Sequence, residues 1–245
     1  MKTRILGING SPRKSATWYS VQEALRSAQR VDGIETDFID LCGTDIHYCI
    51  HCDRCHKEKK GRCPVFDDSM TDFYDRFQQA DGYLIGSPVY NMAPSGLLQV
   101  FLNRLRPLGV FAPTGERQRK IGGAIAVGGM RNGGMETTLQ AINNFYLSCG
   151  ILVISGGLFA YNGAAVWSND LKIEGAKADT QGMQSVYIMG KRVALFAKAI
   201  NVGLACEPNE ITPSEIMGFE SPEAFNTQYG QLRARGVADS CQVRN

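Results

Sequence analysis

Apolar runs of strand length recur along this chain, at Arg4 to Ile8, Glu35 to Leu41, Tyr83 to Gly86, Ile121 to Val127 and Ile151 to Gly156, with segments of helical length between them. Strands that alternate with helices build a parallel sheet, because each parallel return needs a crossover. The first, third, fourth and fifth runs are apolar along nearly their whole length, as strands covered on both faces are. The second alternates and reads as an edge. Helices are predicted near Thr17 to Arg30, Asp68 to Gln79, Pro94 to Leu105, Glu136 to Cys149 and Ser185 to Leu204. The pattern predicts an α/β, doubly wound, five-stranded parallel sheet with its binding crevice at the carboxyl ends of the strands.

Three strand-to-helix turns carry the polar groups for that crevice. After the first strand, Gly10-Ser11-Pro12-Arg13-Lys14-Ser15-Ala16-Thr17 offers hydroxyls from Ser11, Ser15 and Thr17, a charged fork from Arg13 and a helix N-terminus. That set suits a phosphate. The Walker pattern is excluded because Arg13 stands where glycine must precede the lysine, and G-x-G-x-x-G is absent. Plain capping by Ser15 or Thr17 accounts for one hydroxyl and leaves the others unexplained. Strand three ends in Ser87-Pro88-Val89-Tyr90-Asn91, where two nearby prolines stiffen the turn and hold an aromatic and an amide out at the crevice, as a planar ring requires. Strand four runs into Gly128-Gly129-Met130-Arg131-Asn132-Gly133-Gly134, whose glycines bare amide N–H groups for an electron-rich ligand edge.

Two segments are additions to the minimal sheet of the domain expected over residues 1–206, the second of them an insert within that domain. One is a C-terminal extension over 207–245. The other is an insert from Cys42 to about Phe66, with Cys49, Cys52 and Cys55 at three-residue steps, then Cys63-Pro64, all three histidines, and the basic residues Arg54, Lys57, Lys59, Lys60 and Arg62. Thiolates at that rhythm occupy corners of one compact cluster, as in ferredoxin-type ligation, and point to electron transfer. Zinc prefers two separated cysteine pairs. A structural zinc site drawing on His47, His51 or His56 stays open as an alternative. Seven residues separate Cys55 from Cys63, so the fourth ligand is left between Cys63 and a nearby histidine.

Composition narrows the partners. A hydrophobic content of 44% over 245 residues supports a full core, and with a formal net charge of only +2 and no basic stripe with interleaved aromatics neither nucleic acid nor an anionic membrane is expected as a partner. No run approaches the roughly 20 apolar residues of a span. Met1 leads straight into an apolar strand, so a signal peptide is not expected and a cytoplasmic location is. Eight cysteines then read as metal ligation more than disulfides. With every histidine between residues 47 and 56, Ser-His or Cys-His hydrolysis at the crevice would need the insert folded across it. Asp67 and Asp68 read as cap and first-turn charges of the following helix.

In this order, Gly10-Ser11-Pro12-Arg13 with Ser15 and Thr17, the four cysteines, Asp67-Asp68-Ser69-Met70, Ser87-Pro88-Val89-Tyr90 and Gly128 to Gly134 resemble the flavodoxin-like NADPH-dependent FMN reductase family, in its iron-sulfur flavoprotein branch. The resemblance covers roughly residues 3 to 205. It implies FMN, with phosphate on Ser11, Arg13, Ser15 and Thr17. The ring would lie between Pro88, Val89, Tyr90 and Asn91 on one side and Gly128, Gly129, Arg131, Asn132, Gly133 and Gly134 on the other. It also implies a 4Fe-4S cluster on Cys49, Cys52, Cys55 and Cys63, and a homodimer or homotetramer in which the cluster loop approaches a neighbour's flavin. The expected activity is flavin-based oxidoreduction from NAD(P)H or reduced ferredoxin to a small acceptor such as a quinone, a nitroaromatic, dioxygen or peroxide. The alternative from another class is an electron carrier between protein partners.

Overall fold

The computed structural model describes residues 2–58, 60–109, 119–158, 160–206 and 227. Nearly all of the extension over 207–245 therefore lies outside the described residues, as do Lys59 and Cys241. The sheet runs in the order β2 (Ile34–Asp40), β1 (Thr3–Asn9), β3 (Gly82–Tyr90), β5 (Ile121–Gly128), all parallel. Two short strands then share the place beside β5. β6 (Leu152–Val153) pairs with its start and β7 (Ala164–Trp167) with its end. A two-residue strand, β4 (Ala93–Pro94), folds back antiparallel on the end of β3.

Among the described residues the sheet thus has seven strands where five were expected. The four long ones lie where the hydrophobic pattern put them, and β2 is the edge. The fifth, expected over Ile151 to Gly156, keeps only β6. The chain then leaves the sheet, turns through Gly157 (φ 88°) and Gly163 (φ 140°), and rejoins at β7. Ser155-Gly156-Gly157 interrupts the apolar run, and Ala-Ala-Val-Trp is too short and small to stand out as a strand.

Five helices match the expected ones: α1 (Ala16–Ala28), α3 (Met70–Gln79), α4 (Gly96–Arg104), α5 (Met135–Ser148) and α7 (Thr180–Cys206). The short α2 (Arg54–Glu58) and α6 (Lys172–Ala178) were not anticipated. α7 starts earlier than its apolar periodicity implied because Asp179 caps it: Oδ1 accepts from Gly182 N–H at 3.0 Å, while Oδ2 accepts from Trp167 N–H at 2.7 Å.

Successive residues of β1 feed both faces, as a covered strand must. Leu6 and Ile8 meet Phe73, Phe77, Phe101 and Tyr146 from α3, α4 and α5, and Ile5 meets Val21, Leu25, Met189 and Val193 from α1 and α7. Burial of such side chains is worth about 1.5–3 kcal/mol each. Among the described residues no helix is long and apolar enough to cross a membrane.

Candidate functional site

The turn after β1 is braced from below by Asn9, which is fully buried. Its Oδ1 accepts from Ser11 N–H at 3.2 Å, and its Nδ2 donates to Asp40 Oδ1 at 2.8 Å and Ser11 O at 3.4 Å. Ser11 Oγ accepts from Arg13 N–H at 3.1 Å, tightening the turn before α1. Ser15 stands at the N-cap, yet its side chain accepts no hydrogen bond from the helix. The first turn of α1 therefore keeps donors and the positive dipole end without a capping side chain. Arg13 is exposed beside it, while Thr17 is buried with its methyl near Gly86.

The turn after β3 is a two-residue hairpin into β4, with Tyr90 paired to Ala93. Asn91 (φ 50°) and Met92 (φ 63°) are both left-handed, which makes a type I′ turn and places a non-glycine residue where glycine is preferred. Such positions cost about 1–3 kcal/mol each and concentrate at functional sites. Ser95 caps α4 by accepting from Leu98 N–H at 3.1 Å, and its hydroxyl donates to Gly10 O, joining this turn to the first.

The glycine turn after β5 is latched to the same hairpin. Thr137 Oγ1 donates to Met92 O, and Gly134 (φ 98°) lies so close that a Cβ there would stand 2.7 Å from Met92 Cα. A fourth turn, after β7, closes the other side. Trp167 Nε1 donates to Gly129 O at 2.9 Å, Ser168 N–H donates to Gly128 O at 2.8 Å, and the Arg131 guanidinium stacks over the Trp167 ring at 4.8 Å. Asn169 (φ 48°) and Asp170 (φ 54°) are left-handed here as well. Sequence reasoning missed this turn because β7 itself was missed; Trp167-Ser168-Asn169-Asp170 was its available signal.

The insert is closed at its neck by Asp45 and Ser69: Ser69 N–H donates to Asp45 O at 3.1 Å and Asp45 N–H to Ser69 Oγ at 3.2 Å. Inside, His51 (φ 54°) and Asp53 (φ 56°) take left-handed conformations between successive cysteines. The chain therefore winds sharply enough for Cys49, Cys52, Cys55 and Cys63 to line one pocket. Phe66, Val65 and Pro107 supply apolar wall, and Arg104 and Arg106 supply charge. No histidine is among the lining residues. Among the described residues no three His, Cys, Asp or Glu side chains converge as a single-ion site requires. Burial pushes the Cys55 thiol above its ordinary pKa, and Cys49 and Cys63 add to this against the opposing pull of Arg106.

Asp68 corrects the sequence reading most. Ser69 takes the N-cap position of α3, and Asp68 accepts from Met70 N–H at the helix start at 3.1 Å but is also the buried partner of Arg104, with both side chains at most 2% exposed. Arg104 Nη1 reaches Asp68 Oδ2 and His47 O, each at 2.6 Å, and its guanidinium lies 5.1 Å from the Phe66 ring centroid. His47 stacks on that ring at 4.9 Å and donates its own N–H to Asp68 Oδ2 at 3.0 Å. Burial alone raises the Asp68 pKa, but Arg104 and the N–H groups of His47 and Met70 outweigh it and hold the carboxyl below its usual range. Tyr74, beside this pair, is pushed up to about 12 chiefly by burial. In the basic patch, Arg54 and Lys60 are paired with Glu58, at 2.9 and 3.1 Å, so part of its charge is neutralised within the insert.

The structure thus brings the three expected turns to one edge of the sheet and the four cysteines to one pocket. The two places are separate. Ser95, at the head of α4, is tied to Gly10, whereas Arg104 is at its foot, and nine helical residues span about 14 Å.

Residues 3–165 match the model of the NADPH-dependent FMN reductase family. An iron-sulfur flavoprotein from Archaeoglobus fulgidus is 41% identical over 78% of this chain and 95% of its own length. One from Methanocaldococcus jannaschii is 38% identical over 80% and 98%. The fold is similar to that of a flavodoxin-type, WrbA-like protein from Agrobacterium tumefaciens, with a TM-score of 0.55, 18% identity, and coverage of 81% of this chain and 98% of that one. With its flavodoxin-like sheet and its cysteine insert after β2, the chain belongs to the NADPH-dependent FMN reductase family, in the iron-sulfur flavoprotein branch, and is a flavin-dependent oxidoreductase.

Proposed function

We propose that this oxidoreductase holds FMN at the crevice and a 4Fe-4S cluster on Cys49, Cys52, Cys55 and Cys63, and passes electrons from NAD(P)H or reduced ferredoxin to a small acceptor such as a quinone, a nitroaromatic, dioxygen or peroxide. The observation that carries the cluster reading is the lining of one pocket by all four thiols, in a chain whose relatives are named iron-sulfur flavoproteins. Each cysteine of such a cluster binds a different iron, so the thiols ring a pocket and do not meet at a point. The absence of histidine from the lining favours Cys63 as the fourth ligand over the mixed zinc site.

Arg13, Ser11, Ser15, Thr17 and the uncapped start of α1 are the groups for the flavin phosphate. Pro88, Val89, Tyr90 and Asn91 would hold one side of the ring. Gly128, Gly129, Arg131, Asn132, Gly133 and Gly134 would hold the other, with Arg131 kept in place by Trp167. Flavin accepts a hydride as an electron pair and releases electrons singly, while the cluster moves one at a time. The protein's own part is to fix the ring with latched turns, offer N–H donors at its polar edge, and shield the thiols within an apolar wall. We assign Lys57 and Arg62, which form no ion pair among the described residues, to steering an acidic ferredoxin or the phosphates of NADPH. The distance between crevice and cysteine pocket along α4 favours electron passage to a neighbour's flavin in a homodimer or homotetramer.

Anaerobic purification with analysis of flavin, iron, sulfide and zinc tests the cofactors. One FMN with four irons and four sulfides per chain is expected for the cluster named above; zinc without sulfide overturns it. Steady oxidation of NAD(P)H with quinones or nitroaromatics separates the enzyme from a carrier that only ferredoxin reduces.

A further inference from the structure

Arg106 brings a buried donor without a partner among the described residues to the wall of the cysteine pocket. It opens the turn Arg106–Leu108 that follows α4, lines the pocket, and is 19% exposed in its side chain. Its outer nitrogen Nη2 is paired with Asp53 Oδ1, and Asp53 is the left-handed residue between Cys52 and Cys55. That pairing fixes the guanidinium against the cysteine turn. Its Nε–H, however, is buried and has no hydrogen-bond partner among the described residues. Arg104, the other guanidinium in the wall, is already committed: Nη1 serves Asp68 and His47 O, and Nη2 serves Asp68 at 3.2 Å.

A buried donor left unpaired costs about 1–3 kcal/mol, and more on a charged group. Nothing apolar in the wall satisfies it. An electron-rich sulfur in the pocket would, and hydrogen bonds to cluster sulfurs are among the factors that set the reduction potential. We propose that Arg106, held by Asp53, hydrogen-bonds through Nε to a sulfur of the cluster and raises its reduction potential. This rests on the cluster reading given above. When one electron from reduced flavin or ferredoxin enters the cluster, no bond forms or breaks. The added negative charge is stabilised by the guanidinium and its Nε–H. Arg106 is thus a tuning residue. It sets how readily the cluster takes the electron and leaves the ligand set unchanged.

The test is an anaerobic reductive titration of the holoprotein beside Arg106→Lys and Arg106→Gln, with flavin, iron and sulfide measured in each. Both variants are expected to keep the cluster and shift its midpoint to a more negative value. Arg106→Gln should lose about tenfold or more in the equilibrium constant for cluster reduction, which is about 59 mV for one electron. Arg106→Lys, keeping charge without Nε, should fall between. The flavin midpoint should stay in place. A loaded Arg106→Gln protein with an unmoved cluster midpoint overturns the inference. Should the variants assemble no cluster, pulsed EPR on reduced wild-type protein carrying arginine labelled only at the side-chain Nε decides, since the backbone nitrogens of Arg54 and Arg62 adjoin Cys55 and Cys63. A nitrogen coupling to the cluster is expected, and its absence overturns the proposal. Wild-type protein without iron and sulfide instead removes the cluster reading itself.

Discussion

Replacing Asp68 with asparagine keeps the shape of the side chain and leaves Arg104 as an uncompensated charge in the protein interior. The geometry makes this expensive. Asp68 accepts from Arg104 through both oxygens, at 2.6 and 3.2 Å, and from the N–H groups of His47 and Met70 at 3.0 and 3.1 Å, with the pair at most 2% exposed. Breaking one partner of a buried pair costs about 3–5 kcal/mol, whereas replacing both with well-packed apolar residues is often neutral. Asp68→Asn is therefore expected to lose about 3–5 kcal/mol in denaturant unfolding at neutral pH. The double variant Asp68→Leu with Arg104→Met removes the lone charge and should recover part of that loss, since the N–H groups of His47 and Met70 and the His47 carbonyl lose these partners. The pH dependence has a definite sign. The folded carboxyl titrates below its unfolded value of about 3.9, so its contribution is complete above that value and disappears as pH falls through the folded pKa. Wild type should thus lose its advantage over Asp68→Asn below about pH 4. A single-variant loss under about 1 kcal/mol, or a double variant as weak as the single, would refute the role given to this pair.

Other expectations follow from the same geometry. Cys55→Ala and Cys63→Ala should each abolish the full iron and sulfide content while retaining FMN, and His56→Ala should retain both; simultaneous loss of FMN would tie the insert to the flavin turns. Arg13→Ala removes a charge-assisted bond worth about 1.5–3 kcal/mol, so the FMN Kd should rise roughly ten- to hundredfold with little change in unfolding. An unchanged Kd, read by flavin fluorescence, would exclude Arg13 from the phosphate site. Met92→Gly relieves a left-handed methionine in a type I′ turn and should stabilise the protein by up to about 1 kcal/mol. A clear loss of stability would mean that the Met92 contact with Gly134 outweighs the strain.

Much of the architecture was legible because period and polarity mark it directly. Long apolar runs such as Ile121–Gly128 become covered strands wherever helices lie on both sides, and α1, α3, α4 and α5 carry the matching amphipathic stripes. The three polar turns followed from the same logic, since turn residues at the carboxyl ends of parallel strands face the crevice. What stayed hidden depends on partners far apart in sequence. β7 exists because Ala164 to Trp167 pair with Ile125 to Gly128, and the turn after it is held by Gly128 and Gly129. Asp68 does serve the start of α3 through Met70 N–H, but its buried pairing with Arg104, 36 residues away, was hidden.

From the sequence alone came the parallel sheet, its edge strand, the phosphate-type turn and a cysteine rhythm suited to a cluster, all properties of local spacing. Tertiary structure decided which thiols share a wall, that Arg104 is spent on Asp68 and His47, and that Arg106, in that same wall, keeps a buried donor with no partner among the described residues. Spacing along a chain specifies what each segment offers. Only the packing of segments onto one another determines which donors are satisfied, which charges are buried, and what is left for a ligand.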